Sequence, residues 1–354
     1  MNSRERYHAV TCYEPFDRCF QWEMRPYEET SRRWRREGMP ADEHLAVLAG
    51  YDRFEVAPIG VALCPSFEYE DLEQTEEYRI YRDRDGVIKK IRRDAQPPAM
   101  PQYLQYPIRG RSDWKDFLPR LDPDSPIRFP VWFDSWKREV AGRDYPLGIS
   151  AGSMFGWIRN WTGIENIAVM IYDDPAFVRE MMDTVADLVV RVLEKVVFEV
   201  QFDFAQMWED MAYKTASIIS PTHFREFMVP GYRRIVDVLH RAGVDSIILD
   251  SDGNVDELIP LWLECGINLI YPMEAAAGMD VIALRKRFGK ELRMGGAMDK
   301  RVLATTKDAI RTMVEEKKDL IRKGGYLPGV DHAIPPDIPW ENFIYYRNLL
   351  REIG

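Results

Sequence analysis

The sequence predicts an α/β fold, a (β/α)₈ barrel of the TIM type, on three observations. From Tyr145 onward, short apolar runs alternate with segments of helical period. The connections between them are short, which gives a parallel sheet with right-handed crossovers. Several apolar runs end in acidic residues, and in barrels and open α/β sheets the carboxyl ends of strands are where sites are built. Six strand–helix units are visible from 146 on, so the first ones must lie in the N-terminal part. No GxGxxG follows a strand and no GxxxxGK[ST] occurs, so the usual nucleotide signatures are absent.

We read residues 1–354 as one barrel domain, with an irregular N-terminal part over 1–145 and regular units over 146–354. Glu28 to Glu37 is a short basic helix with a solvated face. Residues 78–93 alternate on both sides of Asp85-Gly86, which predicts a β-hairpin. A proline-rich arm follows (Pro97, Pro98, Pro101, Pro107), whose Tyr103, Leu104 and Tyr106 call for burial. Pro146 to Ser150 is the first clear strand. Asp174-Pro175 opens a long helix, with Asp as N-cap and Pro in the first turn. Phe202 to Met207 is a strand that runs into Trp208-Glu209-Asp210, and Ser220-Pro221 opens a helix to Arg241. The strand at 247–249 ends in Asp250-Ser-Asp252-Gly253-Asn254, ahead of a helix over 255–265. Asn268 to Tyr271 ends in Pro-Met-Glu274, with a helix at about 280–288. Leu292 to Met294 ends in Gly295-Gly296. A helix over 307–322, the strand Tyr326-Leu327, the loop to Asp331-His332 and a helix at about 340–352 complete the chain.

Hydrophobic residues make up 46% and charged residues 30%, a normal globular balance with enough apolar content for a large core. A net charge of -10 argues against nonspecific binding to nucleic acid or an anionic membrane. No apolar run approaches the ~20 residues needed to span a bilayer. Met1 to Phe16 has no secretory pattern, and the four separated cysteines suit reduced thiols, so a cytoplasmic protein is expected.

Strand ends of a barrel converge on one mouth. They would deliver Glu209, Asp210, Asp250, Asp252, Glu274 and, with Asp331, the imidazole of His332. Carboxylates crowded together repel one another, so a divalent metal or a cationic substrate group should sit among them. Carboxylates plus one imidazole suit zinc or a similar cation. Asp252 and Asn254 also suit a simple turn and helix cap. His332 lies in a loop after a strand, where a general acid–base or a metal ligand is at home.

Two stretches carry a family resemblance. Gly295-Gly296-Ala-Met-Asp-Lys, and Gly324-Gly325-Tyr-Leu-Pro-Gly-Val-Asp-His-Ala-Ile-Pro-Pro-Asp-Ile-Pro-Trp-Glu-Asn, resemble the uroporphyrinogen decarboxylase superfamily. That superfamily holds the decarboxylase and cobalamin-dependent methyltransferases, both (β/α)₈ barrels. The resemblance spans roughly residues 20 to 354. Trp22-Glu-Met24-Arg25 resembles the decarboxylase's N-terminal Trp-x-Met-Arg, and Ser220-Pro-Thr-His-Phe-Arg-Glu-Phe resembles its Ser-Pro-x-x-Phe-x-x-Phe. His332 falls on its Gly-His-Gly histidine. The departures are clear: Glu209-Asp210 replaces Asp-Ser, Pro26-Tyr-Glu-Glu replaces Gln-Ala-Gly-Arg, and Asn160 lies where its tyrosine is expected. On the methyltransferase side, Asp250-Ser-Asp252-Gly253-Asn254 falls on the zinc-holding His-x-Cys-Gly-Asn and His332 on the later Cys. Ligation by oxygen leaves a cation more Lewis-acidic than thiolates do, which suits polarising a substrate oxygen.

The resemblance therefore implies a small methylated substrate and a divalent cation, zinc in that family, on Asp250, Asp252 and His332. His332, Glu209 and Asp210 would be catalytic. Arg25, Trp22, Glu274 and Asn160 would bind substrate. The methyl group would pass to a corrinoid protein, and a homodimer stays open. The alternative is decarboxylation, with Arg25 pairing a substrate carboxylate and His332 giving a proton. A second alternative is a non-catalytic binding barrel with structural carboxylates.

Overall fold

In the computed structural model, residues 1–94 and 100–353 are described. Pro97 and Pro98 of the expected arm lie outside them. Seven strands form one parallel sheet in sequence order: Glu55–Val56, Leu147–Ser150, Phe204–Trp208, Ile247–Asp250, Leu269–Met273, Arg293–Met298 and Tyr326–Val330. Strands covered on both faces should read as continuous apolar runs. Leu147 to Ile149, Ile247 to Leu249 and Leu269 to Met273 do so and are buried throughout. Helices fill the intervals, the longest being Pro175–Glu194, which Asp174 caps through the Phe177 N–H.

The sheet is curled. Phe54, beside the first strand, stacks on Phe204 of the third at 4.3 Å between ring centroids. Trp22 packs on Tyr271 of the fifth at 5.1 Å. Phe20, Ile248, Leu269 and Leu327 share this interior. The extended chain from Cys19 to Glu23 runs between the two edge strands. Gln21 O accepts from Asp52 N–H at 2.7 Å near the first edge, and the Glu23 carboxylate accepts from Val330 N–H at 2.7 Å on the last.

The N-terminal part is more ordered than its sequence suggests. Helix Ser3–Thr11 closes the lower end: Tyr7 meets Ser246 at 2.8 Å and Val10 O accepts from Gly325 N–H at 2.6 Å. Helix Glu28–Arg36 carries the basic stretch. A second sheet has four antiparallel strands, Glu70–Gln74, Tyr78–Arg82, Ile88–Arg92 and Gln102–Gln105. Its central hairpin turns at Asp85-Gly86. Tyr103 and Leu104 are exposed there, against the burial expected of them. They form an outer strand of this small sheet, one face of which is open. Among the described residues no helix is long and apolar enough to cross a membrane.

One buried ion pair ties the N-terminal segment to the end of the chain. The Glu23 carboxylate accepts from the Arg347 guanidinium, from Tyr346 Oη at 2.9 Å and from Val330 N–H, and both charged side chains are fully buried. Removing one partner leaves the other charge in the core. Arg347→Met should therefore cost about 3–5 kcal/mol in urea unfolding. The Glu23→Gln, Arg347→Met double variant should recover part of that loss.

Candidate functional site

Parallel register brings the strand ends to one rim. Trp208 lies beside Asp250, and Asp250 beside Tyr271. Asp250 ends its strand, and the next residues turn sharply. Gly253 adopts φ +85°, and a Cβ there would meet Ala212 O at 2.6 Å, so only glycine fits. Ser251 Oγ accepts from Met211 N–H at 2.9 Å, and the Glu274 carboxylate accepts from Gly253 N–H at 2.8 Å. The loops after three successive strands are thus stitched together.

The turn-shaping role belongs to Asn254. Its amide donates to Ala277 O at 3.0 Å and its Oδ1 accepts from Asp256 N–H at 3.2 Å. Asp252 caps nothing. Its Oδ2 lies 3.3 Å from His332 Nε2, and its Oδ1 is buried without a protein partner. Two groups of ligand-type side chains meet at this residue. Asp252, Glu274 and His332 bring one ligand atom each within 4.8 Å of one another, and so do Asp210, Asp250 and Asp252. The expected trio of Asp250, Asp252 and His332 is therefore divided: Asp252 is shared, Asp250 sits with Asp210, and His332 sits with Glu274.

Electrostatics reflect the crowding. Burial, then Asp252 and Asp210, push the Asp250 carboxyl up to about 8. Burial and Asp252 also raise Asp210. A hydrogen bond to Asp252 raises His332 against the opposing effect of burial. Asp210 has φ 48°, a left-handed conformation that Asp tolerates better than most residues. Positive groups border the cluster. Arg159 reaches Asp210 Oδ2 at 3.9 Å and also donates to its carbonyl, and Lys300 Nζ lies 3.3 Å from Glu274 Oε1.

The other expected site residues fall in different places. Glu209 is fully buried and faces away from the rim. Its carboxylate accepts from the N–H groups of Met154, Phe155 and Gly156 at 2.6, 2.8 and 2.8 Å, and from Tyr232 Oη at 2.7 Å. It anchors the start of helix Phe155–Thr162, which carries Arg159 and Asn160, so it positions rather than reacts. Asn160 accepts from Arg159 at 3.3 Å and faces Asp85 of the hairpin turn, outside the carboxylate cluster. Trp22 lines the interior below the rim. Arg25 is exposed, and among the described residues it has no hydrogen bond or ion pair. Its acidic neighbours are engaged elsewhere: Glu23 with Arg347, Glu28 and Glu29 with Arg32.

Sequence reasoning missed four residues at the site. Arg159 and Lys300 supply positive charge from the helices that follow two strands. Tyr27 lies over His332 at 6.4 Å between ring centroids. Asp331, delivered to the mouth by the sequence, was given no role. It is buried and accepts from Ala275 N–H at 3.1 Å and Lys300 N–H at 3.0 Å, so it fixes the loops bearing Glu274 and Lys300 beside His332. The signal for Lys300 was present in the charge balance, since crowded carboxylates call for a neighbouring cation.

Stability should carry this signature. Native Asp250 keeps its proton up to about pH 8, whereas an unfolded carboxylate releases it near pH 4. The native chain therefore binds more protons across that window, and stability falls as pH rises through it. His332 acts in the same sense. Its raised value stabilises fully below the ordinary histidine range and is lost as pH climbs past the raised value. In chelator-treated protein, urea midpoints should decline from about pH 5 to about pH 9. Asp250→Asn should remove a slope equivalent to about one proton. Midpoints that stay level in the parent protein would refute the crowding.

Comparison with known proteins places this geometry. The family model described as uroporphyrinogen decarboxylase matches residues 96–353. The uroporphyrinogen decarboxylase of Synechocystis is 22% identical over 257 residues, covering 70% of each chain. That of Hydrogenovibrio crunogenus is 27% identical over 186 residues, covering 50% of this chain and 48% of its own. Among solved structures, a methyltransferase from Methanosarcina mazei superposes with a TM-score of 0.62 at 15% identity, covering 99% of both chains. At that identity the likeness concerns the fold.

Proposed function

The chain belongs to the uroporphyrinogen decarboxylase family, and from that premise we propose a metal-assisted enzyme that transfers a methyl group from a small methylated substrate to a corrinoid carried by a separate protein. In this reading the Cys19 to Glu23 segment takes the eighth place round the barrel. The observation that carries the proposal is Asp252. A buried carboxylate oxygen with no protein partner, set among Asp210, Asp250, Glu274 and an imidazole, suits a divalent cation. The residues fit zinc or a similar ion: hard oxygen donors plus one nitrogen, with charges that otherwise repel. Asp252 with His332 and Glu274, or with Asp210 and Asp250, would hold it. Such an ion supplies Lewis acidity toward a substrate oxygen.

The remaining groups have roles in keeping with their positions. Arg159 and Lys300 hold Asp210 and Glu274 in place. Glu209 and Asp331 fix the helix and loops that bear these groups. Tyr27 borders the approach beside His332. Asp250, protonated near neutral pH, is the group that must lose a proton when a cation enters.

Decarboxylation is the second reading, and Arg25 favours it. An exposed guanidinium without a partner is free to pair a substrate carboxylate, and His332, raised by Asp252, is poised to give a proton.

Protein purified without chelator should carry about one divalent ion per chain, and Asp252→Ala should lose it. Elemental analysis that finds no metal after incubation with zinc would remove this reading. Ion binding should release about one proton and should keep tightening as pH rises toward 8, which calorimetry in two buffers can read.

Arg25→Ala separates the two activities. It should weaken a carboxylated ligand by about 1.5–3 kcal/mol if the site takes an anion there. Carbon dioxide release with no methyl-corrinoid formed would decide for decarboxylation.

A further inference from the structure

Directly below the carboxylates, the interior of the curled sheet holds a small well of about 20 Å³. Trp22, Phe54, Gln206, Ile248, Tyr271 and Leu327 form its walls. They come from the N-terminal segment, the chain before the first strand, and the third, fourth, fifth and seventh strands, so the well lies inside the curl of the sheet. Tyr271 is the register neighbour of Asp250. Its ring lies against Trp22, and its side chain is almost wholly buried. Yet its hydroxyl has no protein partner. Among the described residues, the Gln206 carboxamide makes no hydrogen bond either. A buried hydroxyl and a carboxamide left without protein partners in an otherwise apolar chamber are the pattern of a ligand pocket: apolar walls fix shape and a few polar groups fix orientation.

No charged side chain lines the well. Its rim is the Asp210, Asp250 and Asp252 group. An anionic end group entering here would pass the carboxylates and then be buried without a counter-charge, which is doubly unfavourable. A cationic end group would stay at the rim, since no carboxylate lines the well and the nearby Glu23 is already paired with Arg347. We propose that the well seats an uncharged end group of one or two heavy atoms, oriented by Tyr271 and Gln206 through a single oxygen or nitrogen, while the rest of the molecule reaches the carboxylates. This deepens the site reading above and rests on it for the molecule's reacting part. The seat itself depends only on the well.

The test uses the whole chain, treated with chelator, and the matched trio of 1-propanol, propionate and propylammonium in an NMR titration at neutral pH. Propanol should bind saturably, with the Trp22 indole signal shifting, and propionate should bind at least about tenfold more weakly. Tyr271→Phe should weaken propanol about fivefold. It should leave the unfolding temperature within about 2 °C of the parent, because the hydroxyl has no protein contact to lose. Equal or tighter binding of propionate or propylammonium would overturn the proposal. So would propanol binding indifferent to Tyr271→Phe, which would mean that water alone meets the hydroxyl. The measurement uses no cation and reads no turnover, so its failure leaves the metal reading standing, and an absent metal leaves this one standing.

Discussion

Carboxylates at the ends of adjacent parallel strands cannot avoid one another, and the organisation of this molecule follows from that constraint. Parallel register sets Trp208, Asp250 and Tyr271 side by side. The residues just beyond must then share one rim. Asp210, Asp250, Asp252 and Glu274 all arrive there. Their repulsion is partly relieved by a proton on Asp250, by Arg159 and Lys300, and by the His332 imidazole. None of these fully satisfies Asp252, one of whose oxygens is buried without a partner. The site is a concentration of negative charge held in place against its own repulsion.

Two populations of buried acid make that possible. Both carboxylate oxygens of Glu23, Glu209 and Asp331 are engaged by protein donors. Glu209 accepts from three consecutive backbone N–H groups at the start of a helix, where the helix dipole favours negative charge. Asp331 ties two loops, and Glu23 ties the last strand to the last helix. These acids act as fasteners, and each holds in position an element that carries a rim residue. Asp250 and Asp252 have no such donors on their side chains. The contrast separates scaffold from site more sharply than burial or charge taken alone, because an acid whose oxygens are both engaged by protein donors has less to offer a ligand than one with an oxygen left without a partner.

Much of the fold was legible in the chain. Alternating strand and helix periods from Tyr145 on correspond to the strand–helix units of the seven-stranded parallel sheet, because buried parallel strands must be apolar on both faces. The first strand, Glu55–Val56, is too short to read. The Cys19 to Glu23 segment belongs to a run that alternates, Phe20, Trp22 and Met24 against Gln21, Glu23 and Arg25, but it was read as irregular chain, and its place is fixed by long-range bonds to Asp52 and Val330. At the site, the Asp250 to Asn254 turn and His332 were found from position in the chain. Glu209 was misjudged, although period-two alternation after Gln206 and Trp208 points it to the opposite face from the interior. The division of the expected trio depended on which loops Asp252 touches, and no spacing rule encodes that. Tyr103 and Leu104 were misjudged because they lie on an edge strand of a small sheet that is exposed along its whole length.

The Asp252–His332 contact is where the two chemistries diverge, and one electrostatic fact governs both. Asp252 raises His332 because a carboxylate beside an imidazole favours its charged form. Asp252 thus favours the protonated form of His332, which is the form that can donate a proton. A divalent cation on Asp252 would withdraw that support, and as a ligand His332 must itself be neutral. On the proposed reading the same side chains would form an acid or a metal site, and occupancy of the cluster would decide between them. A carboxylate beside an imidazole keeps both options within one pair of residues. The site's reactivity would then be set less by which side chains are present than by what the crowded rim holds to neutralise them.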